Sequence, residues 1–156
     1  MSQNLPYRYR IPFVAGDDTG PSWSQRFLAA HNYERRARGL PPLARSTRLD
    51  SVAQLRVEDM VAEGYFGHDD PRDDPGRIDG KYHEIMQQLG IAGWAWAGEN
   101  LQMNNYADPF PVAMDRLMNS PTHRANILDP EYTHMGAGAL LDNERRYWFA
   151  CIYTSG

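Results

Sequence analysis

The chain has 156 residues, and 16 Lys and Arg against 20 Asp and Glu leave a formal charge of −4. That length suits one domain, burying roughly 70% of its unfolded surface. No apolar run is long enough to span a membrane, and Arg scattered among Asp and Glu gives no basic stripe for nucleic acid. A single cysteine, Cys151, rules out an internal disulfide, so the core must hold the fold; its apolar, aromatic setting makes it a small buried hydrophobe.

Residues 1–21, "MSQNLPYRYRIPFVAGDDTGP", read as an extended arm ended by Gly20-Pro21. The stretch is not a signal peptide, because Arg8 and Arg10 stand where a continuous apolar core would sit. Tyr7, Tyr9, Ile11 and Phe13 give the arm apolar groups to pack on its own domain or on a neighbouring subunit. The domain proper is expected over residues 22–156.

Ser22 caps a first helix, with Gln25 as its capping-box partner. Trp23, Phe27, Ala30 and His31 share one face of it, and Gly39 ends it. "LPPL" makes an extended crossing. Ser46 or Thr47 starts a second helix whose stripe is Leu49, Val52, Ala53, Val57, Met60 and Val61, with Gly64 as its stop. Gly67 to Gly80 is rich in Asp, Pro and Gly and reads as loop. A short helix follows over Lys81–Leu89, then a strand over Trp94–Met103 carrying "GENL". Asp108 is placed to cap the next helix with Pro109 at its first position, and Phe110, Ala113, Met114 and Leu117 inside. Ser120-Pro121 opens a short helix running to Leu128.

"MGAGALL" and "RRYWFACIYT" flank the turn Asp142-Asn143-Glu144 as a hairpin. The second of these strands is apolar on both alternating sets, so it is covered on both faces. The fold class expected is therefore α+β: a small antiparallel sheet between helices, an α/β/α sandwich.

Three stretches carry groups suited to chemistry. His123, in the first turn of its short helix, meets the positive end of the helix dipole, which favours neutral imidazole. His68 lies in a loop beside Asp69 and Asp70. Glu99, in a strand, is expected to be at least partly buried, and a buried carboxylate needs donors or a cation. The spacing of the three matches no compact zinc signature. His31 reads as a core histidine, His134 as a turn residue, His83 as a solvated helix face, and Trp94 and Trp96 as strand aromatics of the core.

"HNYERRARGLPPL", "YFGHDDP", "GENL", "SPTHRANILDPEYTHMGAG" and "YWFACIYT" occur in the order seen in the CAP superfamily. These are the cysteine-rich secretory proteins, antigen 5 and pathogenesis-related-1 proteins, and the chain most resembles their bacterial SCP-like branch, over about residues 23–154. The resemblance implies an α/β/α sandwich with a cleft lined by His68, His123 and Glu99. Where many members carry a second cleft Glu, this chain has Asn119 and Ser120, and Leu117 stands where a Trp is usual. Neutral Asn and Ser are poor zinc ligands.

The resemblance further implies a non-catalytic binding or interaction module. Zinc or another divalent ion would sit on His68 and His123, and the ligand would be a lipid or a protein. It implies an extracellular place, or one in an exported or virion assembly. Two other functions are weighed. One is a structural component docked on a neighbouring subunit through residues 1–21. The other is a hydrolase, using either a metal-bound water or Ser120, His123 and Glu99. Ser120 is better explained as a helix cap, its hydroxyl taken by the amide of His123.

Overall fold

The computed structural model describes residues 22–72 and 80–156. The arm expected over residues 1–21 lies outside the described residues, as do residues 73–79 of the acidic loop. The elements run α1 (Trp23–Arg36), β1 (Ala44–Arg45), α2 (Thr47–Glu63), α3 (Lys81–Gln88), β2 (Ala97–Asn104), α4 (Pro109–Asn119), α5 (Pro121–Ile127), β3 (His134–Leu141) and β4 (Tyr147–Thr154).

Local chemistry sets most of these boundaries. Ser22 and Gln25 close the expected capping box at the start of α1. The Ser46 hydroxyl accepts the Leu49 amide at the start of α2, and Gly64 ends that helix in the left-handed conformation. Asp108 stands at the N-cap of α4 but makes no side-chain cap hydrogen bond, and its charge instead faces Arg26 of α1. The strand expected from Trp94 begins later, at Ala97. The Ser155 hydroxyl accepts the amides of Ala95 and Trp96, tying that segment into a turn ahead of β2. Trp96 is consequently 61% exposed rather than core.

The sheet order is β1-β3-β4-β2. β3 and β4 form the expected antiparallel hairpin, and β2 lies antiparallel along the other side of β4. The sheet is not wholly antiparallel: β1, leaving the "LPPL" crossing, pairs parallel with β3 through Ala44–His134 and Arg45–Met135 alone.

β4 is central, and both its faces are covered. Phe149, Cys151 and Tyr153 pack against Phe27 of α1, Phe110 and Met114 of α4 and Ile127 of α5. Trp148, Ala150 and Ile152 pack against Val52, Val57 and Met60 of α2 and Met86 of α3. The result is an α/β/α sandwich. Gly136 and Gly138 let α2 lie directly on β3, since a Cβ at either would come within 2.2 or 2.5 Å of the α2 backbone.

A polar line runs through the α1 side of the core. His31 donates from Nδ1 to the Phe27 carbonyl at 2.7 Å, so its Nε2, 2.7 Å from the Tyr153 hydroxyl, must accept. The Tyr153 oxygen in turn accepts from Asn100 Nδ2 at 3.1 Å. Burial holds His31 neutral, with its pKa lowered to about 4. The unfolded chain, whose histidine titrates near 6.5, therefore binds the proton first as pH falls. Stability should drop between pH 6.5 and about 4, with this site contributing a slope of up to about 1.4 kcal/mol per pH unit. Urea midpoints across that window should show this component in the parent chain and its loss in His31→Gln; equal slopes would refute the assignment.

Candidate functional site

Glu99 is the centre of the site, and its main partner is a residue that the sequence reading passed over. Arg56, on the inner face of α2, has no exposed side-chain surface, and Glu99 has 1%. Arg56 Nε donates to Glu99 Oε2 at 2.7 Å and Nη2 to Oε1 at 3.2 Å. The same guanidinium donates to the Tyr65 hydroxyl at 2.9 Å and the Gly67 carbonyl at 2.6 Å. Burial pulls the Arg56 pKa down, and bonding to Glu99 more than reverses it. One signal was available in the sequence: Leu49, Val52, Ala53, Arg56 and Met60 share a helical face, so Arg56 falls within the apolar stripe.

This pair also sets the loop that carries His68. Arg56 fixes Tyr65 and Gly67, and the Tyr65 hydroxyl donates to Asp59. Arg72 bonds Asp70, Asp59 and Glu63, while Lys81 meets Asp70 at 3.3 Å, so charges on α2 and α3 brace the loop from below. His68 Nδ1 lies 2.8 Å from Glu99 Oε1, with the imidazole side chain 53% exposed. Its bond to Glu99 raises the His68 pKa against the opposing effect of burial. Nε2 of His68 is left without a partner among the described residues.

His123 approaches from α5. Its Nδ1 lies 2.8 Å from the Ser120 hydroxyl, which corrects the expected cap: the hydroxyl serves the imidazole, not the backbone amide. The backbone at Ser120 is as extended as at the capping residues Ser22 and Ser46, so the difference lies in the competing partner: the His123 ring, three residues on, stands within 2.8 Å and takes the hydroxyl. The His123 carbonyl accepts from Asn100 Nδ2 at 2.9 Å, seating the helix on β2. Burial and then the charge of nearby His68 lower the His123 pKa. Beside His123 opens a cleft of about 230 Å3 with Phe66, Leu101, Met103 and Leu117 as apolar walls.

The structure thus pairs His68 with Glu99 and His123 with Ser120; of these Ser120 and His123 line the cleft, and Asn119 is exposed at the end of α4. The donor set fits a divalent cation poorly. Both Glu99 oxygens are committed to Arg56 and His68, and a buried guanidinium lies behind them. Among the described residues no group of three or more His, Cys, Asp or Glu is placed to hold a metal. A serine triad is not assembled either, because the acid meets His68 while Ser120 meets His123. His83, expected on a solvated face, lies half-buried with its ring 5.0 Å from Trp94 and 4.5 Å from Tyr82. His134 opens β3 and meets the Thr133 hydroxyl.

Two measurements check this geometry. Arg56→Met leaves the buried Glu99 carboxylate with His68 alone and should destabilise the chain by about 3 kcal/mol in urea unfolding, against far less for a surface arginine such as Arg48. In NMR titrations His68 should titrate above 6.5 and His123 below it, and Glu99→Gln should bring the His68 midpoint down. Coincident midpoints in the parent chain would contradict the arrangement.

Residues 28–153 match the family profile described as CAP, Cysteine-rich secretory protein family. The uncharacterized protein YkwD of Bacillus subtilis is 32% identical over 117 residues, covering 75% of this chain and 42% of that protein. An extracellular SCP-domain protein from Bacillus anthracis superposes with a TM-score of 0.70 at 26% identity, over 85% of this chain and 40% of that one. This chain therefore spans less than half of either bacterial relative. Manganese-bound Ac-ASP-7, an Ancylostoma-secreted protein, shares the fold at 14% identity, with a TM-score of 0.57 over 91% of this chain and 73% of its own. With four-fifths of its length matched to one profile, the chain belongs to the CAP, or cysteine-rich secretory protein, family.

Proposed function

We propose that this chain is a non-catalytic binding module whose cleft takes its ligand beside His68 and His123, and that it works outside the cell. The observation that carries the reading is the mutual commitment of the cleft's reactive groups. Glu99 is closed on Arg56 and His68, and Ser120 is closed on His123. Among the described residues the acid and the serine are held by different histidines, so no Ser-His-acid relay is assembled to activate a nucleophile. What stays open is suited to recognition: Nε2 of each histidine and the apolar wall of Leu101, Met103 and Leu117. The extracellular placement is supported by the description of the Bacillus anthracis relative. A divalent ion on His68 and His123 alone would have two protein ligands beside a buried cation, which makes it weak.

Titration of the full chain with zinc, manganese and dodecanoate, followed by calorimetry and NMR, tests the reading. Dodecanoate should shift the resonances of Leu117 and His123 saturably. Either metal should bind no tighter than about 10 μM and lose its heat in both His68→Ala and His123→Ala. Silence toward all three ligands in a folded chain would sink the proposal.

A further inference from the structure

The two edges of the sheet are finished differently. Along β3, past the short β1, two outward amides are closed by side chains of α2. Ala137 N–H donates to Asp50 Oδ1 at 3.0 Å and Ala139 N–H to Gln54 Oε1 at 3.2 Å. Filling these two donors makes pairing with another chain less favourable along this edge.

Along β2 the even-numbered residues face β4, a set continued by the bond from the Ser155 amide to the Trp96 carbonyl. The odd-numbered residues turn their main-chain groups outward. Three of the outward carbonyls are taken: Ala97 by Tyr82, Glu99 by Asn126 and Met103 by the Gln102 side chain. The outward amides of Ala97, Glu99, Leu101 and Met103 and the Leu101 carbonyl have no partner among the described residues. Main-chain polar groups left without a partner in a folded domain call for an explanation. Those of Leu101 and Met103 lie on residues that line the 230 Å3 cleft.

We infer that the cleft binds a short extended peptide as an added strand on β2, with one apolar side chain in the pocket and acidic residues at its ends. This rests on the binding-module reading and names its ligand class. A donor and an acceptor on Leu101, then a donor two residues on, is the pattern one extended strand offers another. A peptide residue opposite Leu101 exchanges both hydrogen bonds with it, as in other strand-addition complexes. Phe66, Leu101, Met103 and Leu117 make a pocket for a neighbouring apolar side chain. The charges select the flanks. Among the described residues no acidic side chain lines the cleft, Arg116 stands at its rim, and the His68 imidazole meets Glu99. The ligand's ends therefore carry carboxylates.

The test uses the full chain labelled with nitrogen-15 and the probe acetyl-Asp-Ala-Leu-Asp-amide. At saturation the amide exchange of Leu101 and Met103 should slow about tenfold or more, with smaller changes along β3. Two further probes carry an N-methyl group on alternate amides. One should lose binding and the other keep it, because only every second N–H of an extended chain faces the edge. Arg116→Glu, an exposed change, should weaken the parent probe by roughly fivefold without altering the fold. Equal binding of both methylated probes, or protection elsewhere on the chain, would overturn the inference. Absence of peptide binding up to about 5 mM while dodecanoate still shifts Leu117 would overturn the strand-addition inference alone, leaving the cleft as a binding site. Silence toward both probes would remove the binding-module reading with it.

Discussion

The site depends on one buried ion pair. Arg56 comes from the middle of α2 and Glu99 from β2, and neither side chain retains appreciable contact with water. Removing two charges from solvent is expensive, and their attraction offsets it only if the remaining donors are also satisfied. Here they are: the guanidinium ends that do not face Glu99 meet the Tyr65 hydroxyl and the Gly67 carbonyl. The same arrangement that satisfies the charge therefore sets the course of the chain after α2, and with it the position of His68. An apolar pair of equal volume could fill the space equally well, but it would not hold that loop.

A consequence is that the two cleft histidines are unlike. His68 has a carboxylate on one nitrogen, which favours its charged form. His123 has only a hydroxyl, is partly buried, and sits within range of the His68 charge. The two imidazoles are thus pushed in opposite directions, His68 toward its charged form by Glu99 and His123 toward its neutral form by burial.

Much of the fold was legible because local chemistry and burial agree. Alternating apolar residues in β4 demanded cover on both faces, and Phe149 and Trp148 find it on opposite layers. Gly64, Ser46 and the Ser22–Gln25 box mark helix ends by their own backbone requirements. His31 was readable as core from its place on the α1 face. What stayed hidden depends on distant partners. The late start of β2 is set by Ser155, some sixty residues on, and β1 exists only because β3 lies beside it. Glu99 was recognisable as a buried acid in need of a cation, but nothing local says which of the 16 Lys and Arg supplies it. Arg56 could be found only by taking the apolar stripe of α2 strictly enough to see that a charge falls inside it. Ser120 misled for a similar reason: cap and imidazole compete for one hydroxyl, and only three-dimensional geometry decides between them.

Helix α1 shows what such long-range dependence means for the order of assembly. Arg35, nearly without exposure, is satisfied by the carbonyls of Pro41, Ile127, Asp129 and Tyr132, and His31 by Tyr153, 122 residues away. Most of these partners leave the ribosome long after the helix itself. Until then α1 has a cation and an imidazole that can only be kept hydrated, so it cannot dock early at low cost. Folding is thereby deferred until the last strand is available. The chain should acquire its structure in one late, cooperative event rather than helix by helix during synthesis.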